Sequence, residues 1–200
     1  MRRRIRGAVL VALGLVLTLS GALAYAYQEY RANLAGQIAQ QLLQDLTWDL
    51  RQLQISGVTV EAPEEQMPQV TVDGDAMIGI LQIEEVGIAL PVLSDWDYEK
   101  LDRSPCRYSG TLVGNNLILL GHNYDQHLGR LKQLEPGDGV EFVDVAGRPH
   151  RFTVAETTVL RPTDVDALTE QPYPLAIFTC TLGGRSRLVV FCNRADSGIS

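Results

Sequence analysis

Three side chains able to do covalent chemistry stand at the ends of apolar runs in this chain. Leu175-Ala176-Ile177-Phe178 ends in Thr179 and Cys180, a turn follows at Gly183 and Gly184, and the chain resumes as Arg187-Leu188-Val189-Val190-Phe191. A thiol at the end of one buried strand and a guanidinium at the start of the next can share a cleft, where the cation favours thiolate and receives developing negative charge. His122 closes an earlier apolar run, Leu117 to Leu120. Acyl transfer by cysteine needs a thiolate, a proton donor for the leaving amine and a donor for the oxyanion. Cys180, His122 and Arg187 supply these in that order.

The competing reading of the thiol is a disulfide between Cys180 and Cys192, leaving Cys106 odd among three cysteines. A turn centred near Gly183-Gly184 sets Cys180 opposite a residue near Arg187. At ~3.3 Å per residue Cys192 then lies roughly 16 Å off, beyond disulfide reach. Arg185, two residues before Arg187, shares its strand face by alternation, so alternation alone leaves open which arginine meets the thiol. Arg187 abuts the apolar run and is preferred. His127 and His150 read as surface histidines in polar surroundings, and Cys106 as a buried small hydrophobe. His122, Cys180 and Cys106 lack the close spacing of metal ligands, so no metal is expected.

These residues need strands to position them. Met77 to Ile83 and Val86 to Leu90 read as a hairpin-like pair ending at Pro91, Asp95 to Leu101 as a short helix capped by Asp95, and Ser104 to Gly114 as loop. No chemistry is assigned to the stretch from Asp95 to Gly114. Leu117 to Leu120 is a buried strand, and Leu128, Leu131 and Leu134 fall at helical spacing before a Pro136-Gly137 stop. Val140 to Val145 and Arg151 to Ala155 flank a turn at Ala146-Gly147-Arg148. Thr157 to Leu160 adds a strand, and Thr163 or Asp164 caps a helical turn through Leu168. Many short strands with few helices indicate a mostly β domain, a barrel or a sandwich.

Upstream, Arg2, Arg3, Arg4 and Arg6 precede Ala8 to Ala26, a stretch without a charge and close to the ~20 residues that cross hydrocarbon as a helix. The positive-inside tendency puts the N-terminus in the cytoplasm and the rest outside, with Tyr25, Tyr27 and Tyr30 at the outer interface. Ala22-Leu23-Ala24 and Ala24-Tyr25-Ala26 resemble signal-peptide cleavage sites. The length of the apolar run favours an uncleaved anchor. Leu34, Ile38, Leu42, Leu46, Leu50 and Leu53 give the segment from Gln28 to Ile55 a helical period, read as a stalk, and Ser56 to Ala76 has linker composition. The expected organisation is an anchor over 1–27, stalk and linker over 28–76, a catalytic domain over 77–194 and a tail over 195–200. Beyond the four arginines, the remaining 13 Lys and Arg face 24 Asp and Glu, a net charge of −11. Such an acidic body argues against nucleic acid as a partner.

From Met77 to Arg194 these residues resemble the bacterial sortases, membrane-anchored cysteine transpeptidases. The resemblance rests on Leu119-Leu120-Gly121-His122, on Thr179-Cys180 and on Arg187-Leu188-Val189-Val190, in the family's order of His, Cys, Arg. Ile78-Gly79-Ile80-Leu81-Gln82-Ile83 followed by Leu90-Pro91-Val92 is similar to its first strands. The family's Thr-Leu-x-Thr-Cys reads here Ala176-Ile177-Phe178-Thr179-Cys180, with alanine in place of the first threonine. The resemblance implies a closed eight-stranded β-barrel with short helices behind a transmembrane helix and helical stalk. It further implies cleavage of an LPxTG-like sorting signal after threonine through a Cys180 thioester. His122 shuttles the proton, Arg187 holds the oxyanion, and no cofactor is needed. Expected partners are proteins with a C-terminal sorting signal, an amine acceptor such as a peptidoglycan precursor or a pilin subunit, and the membrane of a Gram-positive bacterium. Wall anchoring and pilin polymerisation both fit. An exported cysteine peptidase that hydrolyses its acyl-enzyme, and a tethered binding module without catalysis, are the alternatives. L,D-transpeptidases carry a Ser-x-Gly before their cysteine, which this chain lacks.

Overall fold

The computed structural model describes residues 2–57, 60, 67–181 and 184–195. Its first element is the helix α1, Arg2–Ile55, and the chain divides into two compact units, Met1–Leu34 and Ala35–Ser200. In the first unit the apolar side chains from Leu10 to Leu23 are exposed, and an 18-residue window reaches a mean hydropathy of 1.9. That is long and apolar enough to cross a membrane. Its hydroxyls are satisfied locally, Thr18 Oγ1 donating to the Gly14 carbonyl at 3.0 Å and Ser20 Oγ to that of Leu17 at 2.9 Å. Hydrocarbon solvent demands such internal pairing.

In the second unit the strands are β1 (Val70–Val72), β2 (Asp75–Ile83), β3 (Ile88–Leu93), β4 (Cys106–Ser109), β5 (Leu117–Gly121), β6 (Gly139–Asp144), β7 (Pro149–Leu160), β8 (Leu175–Cys180) and β9 (Arg187–Arg194). The short helices are α2, Tyr98–Leu101, and α3, Val165–Thr169. Among the described residues the sheet runs β2-β3-β4-β5-β8-β9-β7-β6, and the pairing of β6 back onto β2 closes eight strands into a barrel. The extra strand β1 pairs with the start of β2, Val72 opposite Asp75. β3–β4 and β5–β8 are parallel, and the remaining pairings are antiparallel. Alternation splits the apolar side chains between the two faces of the wall. Leu119, Ile177, Val190 and Phe142 belong to one buried cluster, and Ile118, Ala176, Phe178 and Val189 to the other.

Several local expectations shift. Pro91 lies inside β3 opposite Ile80 and does not end it; β3 meets β4 through a single pair, Leu93 and Cys106, so the missing proline N–H breaks no continuous ladder. The short helix begins at Tyr98, and its cap is Asp97, which accepts from the Lys100 N–H at 2.8 Å. Cys106–Ser109, read as loop, is strand. Leu128 to Leu134 forms a 3-10 turn, Gly129–Gln133, in place of a regular helix. The two strands expected on either side of Glu156 are one, with a register shift between Val154 and Glu156. That bulge breaks the alternation without ending the strand. The period of the stalk leucines has a structural use: Leu42 and Leu46 are buried in the second cluster, with Ile38 and Leu50 packed against it. This half of α1 lies on the barrel.

Candidate active site

The β8–β9 hairpin sets the thiol opposite the guanidinium. Cys180, the last residue of β8, is in register with Arg187, the first of β9. The connection is tied at its base. Thr181 N–H donates to the Ser186 carbonyl at 2.8 Å, the two hydroxyls lie 2.8 Å apart, and Gly184 N–H donates to the Thr181 carbonyl at 2.8 Å. Gly184 has a φ of 68°, a left-handed conformation that glycine adopts without a Cβ penalty. Gly183, the other glycine of the expected turn, lies outside the described residues. Arg185 falls before β9 and is exposed. Arg187 has its Cζ 5.5 Å from the centre of the Phe178 ring. A guanidinium resting on an aromatic face has less freedom to swing away.

His122 arrives from β5. Gly121 is the parallel partner of Thr179, so the next residue of each strand, His122 and Cys180, leaves the sheet at the same end. His122 Nε2 is 3.0 Å from Asp102 Oδ1, and its ring centre is 4.8 Å from that of Tyr124. Asp102 directly follows α2, in the stretch to which the sequence assigned no chemistry. Only the fold brings it to His122, 20 positions further along the chain. With side chains 30% and 40% exposed, the pair adds little to stability. Its effect is on ring orientation.

The other thiols are unlike Cys180. All three cysteines are free; Cys180 is exposed, Cys106 and Cys192 are buried. Burial pushes both of the latter up to about 12, with Asp95 adding to the effect at Cys106. Cys192 is paired with Leu175, at the far end of β8 from Cys180, which removes the disulfide alternative. His127 departs from expectation. It is fully buried, its ring centre 6.4 Å from that of His122, and burial holds its pKa down to about 4 against a partial offset from the Ala35 backbone. His150 is half-buried, with Nε2 3.1 Å from Asp144 Oδ2. Beside Phe178 a run of rings leads outward, Tyr108 edge-on to Phe178 at 5.4 Å and Trp96 stacked on Tyr108 at 5.8 Å. Among the described residues no three His, Cys, Asp or Glu side chains gather to hold a metal ion. A cavity of about 490 Å³ lies elsewhere, between the end of α1 and β6, lined by Leu50, Arg51, Ile80 and Val145.

A family model described as Sortase domain matches residues 81–195. No curated protein matches the chain by sequence. Among solved structures, the fold is similar to a sortase D5 transpeptidase of Clostridium perfringens, at 18% identity and a TM-score of 0.59 over 80% of this chain and 99% of that one. It is also similar to sortase A of Corynebacterium diphtheriae, at 16% identity and a TM-score of 0.57 over 88% and 97% of the two chains. Sortase C1 of Streptococcus suis gives 20% identity and a TM-score of 0.54 over 62% and 75%.

Proposed function

The chain belongs to the sortase family, and on that premise we propose that it is a cysteine transpeptidase whose working residues are Cys180, His122 and Arg187. The observation that carries this reading is the direct register of Cys180 with Arg187, one strand away from the residue after which His122 leaves β5. The Cys180 thiolate attacks the threonine carbonyl carbon, at the bond after threonine in an LPxTG-like sorting signal. The oxyanion of the tetrahedral intermediate accepts hydrogen bonds from the Arg187 guanidinium. As the C–N bond breaks, the leaving amine takes its proton from the His122 imidazolium and a thioester remains on Cys180. An acceptor amine then gives its proton to the His122 imidazole, attacks the thioester carbonyl and forms the new amide, releasing the thiolate. Asp102, accepting from Nε2–H, orients the ring so that Nδ1 is the nitrogen that gives and takes the transferred proton.

The substrate is a secreted protein with a C-terminal sorting signal, and the acceptor is a peptidoglycan precursor or a pilin lysine. The α1 segment before Leu34 anchors the enzyme in the cell membrane with the barrel on the extracytoplasmic side. Intact-mass trapping of the full chain in detergent with a panel of sorting-signal peptides tests this. A thioester adduct on Cys180 and amide products with oligoglycine, diaminopimelate or lysine donors are expected. Hydrolysis alone with every donor would sink the transpeptidase reading. Cys180→Ala should abolish the adduct while the fold survives, and His122→Ala or Arg187→Ala should each lower the rate by ~10²-fold or more. An adduct that persists in Cys180→Ala refutes the nucleophile.

A further inference from the structure

The loop that leaves β5 with His122 is closed on itself and covered by a helix. Leu128 N–H donates to the His122 carbonyl at 3.0 Å, and the N–H groups of His127 and Gly129 both donate to the Tyr124 carbonyl at 2.9 Å. This turn holds His127 inside, fully buried, where its ring nitrogens make no hydrogen bond among the described residues. The His127 ring is inclined 22° to that of His122 at 6.4 Å, and Tyr124 lies 5.9 Å from it and 4.8 Å from His122. The three rings form one cluster in mutual contact, and the titratable groups that His127 meets are His122 and Asp102.

Over this loop lies the start of the docked half of α1. Ala35 and Ala39 are buried, Ala39 shares a core cluster with Leu128 and Leu131, and the Ala35 backbone faces the His127 ring. Gly36 allows the approach: a Cβ there would stand 2.6 Å from Gln126 Cβ. A buried imidazole with no well-formed hydrogen bond carries a desolvation cost that a phenyl ring would not. Packing from both sides, by the loop and by the helix, fixes the shape of this site.

We propose that His127 is a positioning residue for His122, and that the Ala35–Ala39 face of α1 holds it there, which makes this helix face part of the active site. The proposal rests on the proposed function for its kinetic readout. Truncating His127 removes the ring stacked on His122 and lets His122 rotate. A bulky side chain at Gly36 pushes the same loop from the helix side.

The test compares His127→Ala, His127→Phe, Gly36→Leu and, on the exposed face of the same helix, Gln41→Leu, in the full chain in detergent. The substrate is the sorting-signal peptide found most reactive. His127→Ala and Gly36→Leu should each lower kcat at least 10-fold with KM within about 2-fold of wild type. His127→Phe should restore kcat to within about 3-fold and raise Tm, and Gln41→Leu should change neither. A second readout needs no substrate: the His122 Cε1–H resonance in histidine-labelled protein, identified by its loss in His122→Ala, should shift in His127→Ala and not in Gln41→Leu. If wild type turns over no peptide, the functional reading fails and the resonance alone decides this proposal. Unchanged kcat and an unmoved resonance in a folded His127→Ala overturn it. So does a loss that His127→Phe fails to rescue, or one that tracks Tm across the set.

Discussion

Cys106 and Cys192 are buried and their thiols are pushed up to about 12, whereas Cys180 is exposed at a strand end. Thiolate is the reactive species. Brief alkylation with iodoacetamide near neutral pH should therefore add one group to the native protein, on Cys180, and three under denaturing conditions. Two or more adducts on the folded chain would contradict the burial. The same groups give stability a pH dependence. Between the ordinary cysteine value of 9.0 and about 12 the unfolded chain releases thiol protons that the folded one keeps, so stability falls as pH rises through that window. His127 acts at the other end. Its folded value of about 4 lies below the ordinary 6.5, so the unfolded chain binds a proton the folded one refuses and stability falls as pH drops from 6.5 towards 4. Melting curves across this range should show the acid-side loss, reduced in His127→Phe. A flat profile in wild type would remove the buried imidazole from the account.

Barrel closure depends on β2 meeting β6, and Gly79 is a position where that contact leaves no room for a side chain. It pairs with Val92 on one side and Asp144 on the other, and a Cβ would stand 2.3 Å from the Val143 carbonyl oxygen and 2.7 Å from the Phe142 ring. Gly79→Ala should cost about 1–3 kcal/mol, as overpacking does; urea denaturation measures it, and an unchanged midpoint would mean that β6 gives way freely. Among the strands, those with sharp ends were the legible ones. The Cys180–Arg187 register follows from one glycine turn and the pleat, both local. Pro91 and Ala155 misled because a proline beside a thinly paired edge and a bulge inside β7 imitate strand ends. Cys106–Ser109 was hidden because its pairing with β5 comes from residues nine to fourteen positions away.

At the scale of the molecule, what the sequence left unread is all long-range. Asp102 reaches His122 only after α2 has docked, and His127 is sealed by helix residues some ninety positions upstream, in surroundings whose local composition is polar. The leucine period of α1 was visible, but the surface it packs on was not. A barrel is the sum of such distant pairings. The strand order carries a further implication for the order of assembly. β8 and β9 come last in chain order among the described strands, yet they insert between β5 and β7 in the middle of the wall. Any nascent chain stopped before Leu175 presents two unpaired β edges and lacks Cys180, a form prone to aggregation and open to proteolysis. The Cys180 thiol is thus absent until synthesis has reached the end of β8, and an interrupted chain is open to removal before it carries the Cys180–Arg187 pair.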